Sequence, residues 1–164
     1  MPLIRVENGR AVQAQDGFAR VGDDAALPDG AVTVSLARFR QERDALLARN
    51  TPLGVRLKSD ENPESLGDDV SRFALIELEF PKFRDGRAFS WARLLRTRLG
   101  FAGEIRAVGD FLYDQVNYQR RVGFDAWETT LTPDQLNRAF SEMTNVYQPS
   151  TDGKKTIRQL RAGR

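Results

Sequence analysis

The 164-residue sequence contains no histidine and no cysteine. Their absence removes Ser–His–Asp triads, thiolate nucleophiles, redox dithiols and disulfides. The usual zinc sites, cysteine-ligated iron–sulfur clusters and His- or Cys-ligated haem go with them. Without cysteine there is also no chemical reason to place the chain in an oxidising compartment. No apolar run approaches the roughly 18–20 residues of a membrane span. The opening stretch Met1–Glu7 lacks the apolar core of a signal peptide. The expectation is a cytoplasmic protein with no membrane partner and no metal site. Its chemistry would rest on carboxylates, Lys, Arg, Tyr, Ser/Thr, backbone groups or a dissociable cofactor.

A surplus of one charge sign is also nearly lacking: 25 cations stand against 23 acids, net +2, with a pI near 9.2. Even that surplus is local. Beyond residue 147, Lys154, Lys155, Arg158, Arg161 and Arg164 face the single acid Asp152, and the remaining body is slightly acidic. Residues 148–164 therefore read as a solvated basic tail, and residues 1–147 as one domain. Nucleic acid is not an expected partner.

What is present is alternation. After a hairpin turning at Asn8-Gly9 and an irregular lead-in to residue 30, strand patterns recur at Val32–Leu36, Val55–Lys58, Ala74–Phe80, Glu104–Val108 and Ala126–Thr129. Helical patterns lie between and after them: Ala37–Arg49, a short one at Asp68–Arg72, Arg87–Leu99, Leu112–Val122 and Thr132–Asn145. Such alternation implies an α/β fold with a parallel sheet.

The strands have one polar side. Thr33 and Ser35, Arg56 and Lys58, Glu77 and Glu79, and Glu104 and Arg106 alternate with apolar neighbours. Strands covered by helices on both faces read instead as continuous apolar runs. The pattern predicts helices mainly on one side of the sheet, as in half of a (β/α) barrel. A flavodoxin-like three-layer fold is the alternative.

Three groups of residues bear chemistry. Glu77 and Glu79 share one strand face with Arg56, Lys58 and Arg106 as expected neighbours, either a proton-transfer site or an ion-pair ladder, and these three cations are also candidate anion ligands. Between strand and helix, Phe80–Ser90 carries Lys82, Arg84, Arg87 and Ser90, where free N–H groups and cations can hold a phosphate, sulfate or carboxylate. In this loop Asp85 is the expected N-cap. Asp110, after the next strand, reads as a cap or as a carboxylate placed for catalysis. Arg120-Arg121 falls near a helix end, where the dipole favours cations.

The strings Phe80-Pro81-Lys82-Phe83-x-Asp85-Gly86-Arg87-x-x-Ser90, Gly103-Glu104-x-Arg106-Ala107-x-Gly109-Asp110, Asp114-Gln115 and Arg121-x-Gly123-Phe124-Asp125-Ala126 resemble a bacterial family of unknown function. Its members are described as oxidoreductases of sulfite reduction because they are encoded beside assimilatory sulfite reductase. The resemblance implies an accessory role in sulfate or sulfite assimilation. The ligand would be a sulfur oxyanion, a sulfated nucleotide or the sulfite reductase itself. Two other readings stand beside it. One is a small oxidoreductase borrowing a dissociable flavin or nicotinamide, with Glu77, Glu79 or Asp110 moving a proton. The other is an inert homodimer paired through its polar sheet faces.

Overall fold

A computed structural model describes residues 1–163; Arg164, the last cation of the expected tail, lies outside the described residues. Strands β1 (Leu3–Glu7) and β2 (Arg10–Ala14) form the expected hairpin. Asn8 and Gly9 take φ of 49° and 82°, the left-handed pair that a two-residue turn demands. Six further strands follow: β3 (Ala19–Arg20), β4 (Val32–Ser35), β5 (Leu53–Leu57), β6 (Leu75–Phe80), β7 (Glu104–Gly109) and β8 (Ala126–Glu128). The sheet order is β2-β1-β8-β7-β6-β5-β4-β3. From β3 to β8 every neighbour is parallel and in chain order, and the hairpin is added antiparallel beyond β8. That is a curled half-barrel. A flavodoxin-like fold would need a reversal of strand order, which the described residues do not show.

The chain itself requires the curl. β2 and β3 are the two edges of the sheet, yet only Gln15–Phe18 connect them. Five Cα steps reach at most about 18 Å. The edges of a flat eight-stranded sheet would lie about 33 Å apart. The linker must therefore cross the concave side as a strap over a strongly bent sheet.

Helices cover the convex face: α1 (Leu36–Gln41), α2 (Arg43–Leu47), α3 (Arg87–Thr97), α4 (Val116–Val122) and α5 (Pro133–Glu142), with α6 (Ile157–Ala162) near the end of the chain. Under them lie Val34, Val55, Ile76, Leu78, Phe80, Ile105, Ala107 and Trp127, all buried. Trp127 Nε1 donates to Gln119 Oε1 at 2.8 Å, so the largest core side chain has no unmet polar atom. At the β2 edge, Asn137 of α5 takes the place of a further strand. Its Oδ1 accepts from Ala11 N at 2.8 Å, and its Nδ2 donates to Ala11 O at 3.1 Å.

Two helix expectations need correction. The single helix expected over Ala37–Arg49 is two short ones. The backbone leaves helical geometry at Glu42, whose carboxylate is bound back to Arg38. The short helix expected at Asp68–Arg72 belongs to 3₁₀ turns over Pro63–Arg72, broken at Gly67 where φ is 54°. The expected start at Thr132 holds: its hydroxyl accepts from Gln135 N, and Pro133 opens the helix.

The C-terminal segment is tied to α4. Ser150 and Thr151 hydroxyls donate to Arg121 O, and Arg121 pairs with Asp152 at 2.8 Å. Lys154, Lys155 and Arg158 are exposed. No helix is long and apolar enough to cross a membrane among the described residues.

Candidate functional site

Sheet register places the charged residues in rows. Arg56 stands opposite Glu77, Glu77 opposite Arg106, and Arg106 opposite Ala126, which faces Arg5. Side chains two apart on a strand share a face, so all of these lie on the concave side. Glu77 is 1% exposed and Arg106 0%. Glu77 accepts from Arg56 Nε at 2.9 Å and Arg20 Nη2 at 3.0 Å, with Arg106 Nη1 at 3.4 Å. Arg106 also reaches Glu104 at 3.0 Å and, on the strap, Asp16 at 2.8 Å. Arg5 holds the other oxygen of Glu104 at 2.6 Å, and Arg20 spans to Glu128 at 2.7 Å.

Four arginines thus meet four carboxylates: Arg5, Arg20, Arg56 and Arg106 against Asp16, Glu77, Glu104 and Glu128. Burial works against the charge of Arg20 and of Arg106, yet the acids around them hold both above the ordinary guanidinium pKa. The face is an electrically closed ladder with its charges spent on one another. Glu79 extends the same face toward the strand end and is half-buried. Lys58 lies beyond β5, exposed, its backbone N–H donating to Glu61 at 2.8 Å. Among the described residues no group of three acidic side chains is placed to hold a metal ion.

At the carboxyl end of β6 the balance differs. Pro81 stops the strand, and the loop to α3 borders a cavity of about 500 Å³ lined by Pro81, Lys82, Arg84, Asp85, Gly86 and Arg87. Arg87 is engaged by Asp85 at 2.7 Å and by the Ser59 hydroxyl at 2.8 Å. Arg87 lowers the Asp85 carboxyl well below the usual carboxylate range. Lys82 and Arg84 are exposed and have no carboxylate partner among the described residues. Arg84 lies 5.3 Å over the Phe83 ring. Ser90 is exposed in the first turn of α3. Asp85 is not the N-cap: Gly86 occupies that position, and the Asp85 carboxylate is taken up by Arg87.

Asp110 is not a cap either. It follows Gly109 in the open, and its N–H donates to Phe80 O at 2.8 Å. That bond brings the two strand ends so close that a Cβ on Gly109 would stand 2.3 Å from Phe80 O. The next turn, Tyr113–Gln115, is closed instead by Gln115 Oε1 accepting from Leu112 N at 3.0 Å. Gln115 Nε2 donates to Phe83 O at 2.8 Å, tying this loop to the β6–α3 loop.

All the sequence candidates except Lys58 and Asp110, which stand apart in the open, therefore fall into two groups. Arg56, Glu77 and Arg106 sit together on the concave face, with Glu79 further along it. Lys82, Arg84 and Arg87 ring the β6–α3 cavity, with Ser90 on the adjoining helix. Sequence reasoning missed Arg5, Arg20, Asp16 and Glu128 of the ladder, because their partners are 57 to 108 positions away. It also missed Arg96, which donates to the carbonyls of Phe101, Gly103 and Gly123 and to the Asp125 carboxylate. The family strings containing Gly103, Gly123 and Asp125 were the signal for Arg96.

No curated protein and no solved structure matches the chain. Residues 54–158, more than half of it and spanning β5 to α6, match the family described as bacterial protein of unknown function, DUF934, and the chain belongs to that family.

Proposed function

We propose that the chain is a small-anion binding protein that serves sulfite assimilation as an accessory. It takes a sulfur oxyanion at the β6–α3 loop and delivers or senses it beside the sulfite reductase. The observation that carries this reading is the contrast in compensation. Lys82 and Arg84 have no acidic partner among the described residues and border a 500 Å³ cavity at a strand's carboxyl end, where α/β folds place their ligands. The concave arginines are all matched. The resemblance to proteins encoded beside sulfite reductase supplies the sulfur chemistry.

Binding is favoured over self-contained catalysis because Glu77, the best-placed carboxylate, is already committed to three guanidinium groups. Calorimetric titration with sulfite and sulfate should give saturable heat in the wild type. The heat should be lost in the double variant Lys82→Ala, Arg84→Ala. Absence of heat in the wild type, together with no association with purified sulfite reductase, would sink the proposal.

A further inference from the structure

The other end of the sheet, opposite the β6–α3 loop, holds two cavities that the proposed function does not use. They measure about 480 and 250 Å³, and Arg120 of α4 lines both. Its guanidinium lies 4.3 Å over the Phe140 ring and donates from Nη2 to Gly9 O at 3.1 Å. Nε and Nη1 have no acceptor among the described residues.

Among the described residues the other buried or half-buried arginines all pair with a carboxylate except Arg49, whose buried Nε also lacks an acceptor. Arg5, Arg38, Arg56, Arg96, Arg106 and Arg121 each pair with a carboxylate. Arg49 is held by the carbonyls of Pro28 and Gly30. Burial pushes the Arg120 pKa down, with no acid of the described residues opposing it. The acids nearby are already engaged, Asp125 by Arg96 and Asp152 by Arg121. Lys154, in the wall of the smaller cavity, adds a second cation without a carboxylate partner among the described residues.

A planar guanidinium fixed on an aromatic face, with an open edge, is the geometry that recognises a two-oxygen anion. The larger cavity exceeds what a bare oxyanion fills and offers Val6 and Phe124 as apolar wall. We infer that this groove binds a small organic molecule carrying a phosphate-class oxyanion. The anionic head lies at Arg120 and Lys154, and the body occupies the larger cavity. The site is separate from the sulfur-oxyanion site at the β6–α3 loop and does not depend on it.

The probes are inorganic phosphate, adenosine 5′-monophosphate and adenosine, titrated into the whole chain. The monophosphate should bind saturably and more tightly than phosphate, and adenosine should not bind. Arg120→Met keeps the stem over Phe140 and should weaken binding at least about tenfold, roughly 1.4 kcal/mol. Arg120→Lys should fall between. The variant lacking Lys82 and Arg84 should bind these probes as the wild type does. If Arg120→Met fails to fold, the Arg120 Nε resonance of the wild type decides, because it must shift as the monophosphate is added. An unmoved resonance, absence of saturable binding, or equal affinity in Arg120→Met would overturn the inference.

Discussion

The concave face and the β6–α3 loop both gather arginines beside carboxylates, yet they end in opposite electrostatic states. On the concave face Arg106 and Glu77 are buried, and each guanidinium finds an acid supplied by another strand or by the strap. In the loop a single acid, Asp85, satisfies Arg87 and leaves Lys82 and Arg84 to solvent. Counting charges along the sequence does not separate the two. Burial does: an interior charge without a partner costs several kcal/mol, so a curled sheet must balance its inner face, while a rim need not. An uncompensated cation tolerated at a rim is available to a ligand.

The largest test of this contrast is Glu77→Ala. It removes the buried acid shared by Arg20, Arg56 and Arg106 and takes from Arg56 its one carboxylate partner among the described residues. The inner face is left with one cation in excess, although Arg106 keeps Glu104 and Asp16. The expected loss is about 3–5 kcal/mol of unfolding free energy by denaturant titration. Lys82→Ala in the loop should change stability by no more than about 0.5 kcal/mol. Equal effects of the two substitutions would erase the distinction.

That half of the contrast was partly legible in the sequence. The alternation of Arg56, Glu77, Glu104 and Arg106 with Val55, Ile76, Ile105 and Ala107 shows helices on one side, and strands in chain order then give the half-barrel. The strap was not legible, because nothing local in Gln15–Phe18 says that β2 and β3 are the two edges. Asp16 reaches Arg106 across 90 positions, and Arg20 reaches Glu128 across 108, only because the sheet curls. The expected caps at Asp85 and Asp110 failed for a local reason. An aspartate before a helix scores as a cap whatever its neighbours, but Arg87 offered Asp85 a charged partner, and Gln115 closed the turn after Asp110. Arg120, expected beside Arg121 as a cation at a helix end, is set apart by Phe140 and the hairpin tip, which no local pattern brings to it.

A middle-sized test uses pH. Burial raises the Asp16 carboxyl, but the Phe18 N–H and Arg106 bring it below its ordinary 3.8. Burial likewise raises Glu128, and Arg20 brings it below 4.5. Acids with depressed folded-state pKa contribute stability that is complete above their unfolded values and is lost as pH falls through the folded ones. Stability should therefore be level above about pH 5 and decline progressively below about pH 4.5. Asp16→Asn should be less stable at neutral pH and show a shallower decline on acidification. A decline as steep as the wild type's would mean that Asp16 carries none of the strap's hold on Arg106.

The smallest stability effect should accompany an informative change in binding. Asp85→Asn keeps a side-chain oxygen to accept from the Arg87 N–H and removes the charge that engages its guanidinium. The pair lies at the surface, where solvent screens it, so the change should leave the denaturant midpoint close to that of the wild type. The loop then holds three unmatched cations in place of two. If compensation decides where an anion binds, sulfite affinity measured by calorimetry should rise in Asp85→Asn. Asp85 is held far below neutral pH by Arg87, so its titration should contribute nothing to wild-type affinity for sulfate, an anion that keeps its charge, between about pH 6 and 8. Unchanged affinity in Asp85→Asn would show that geometry, and not spare charge, selects the ligand at the rim. The concave ladder and the loop would then differ in burial alone.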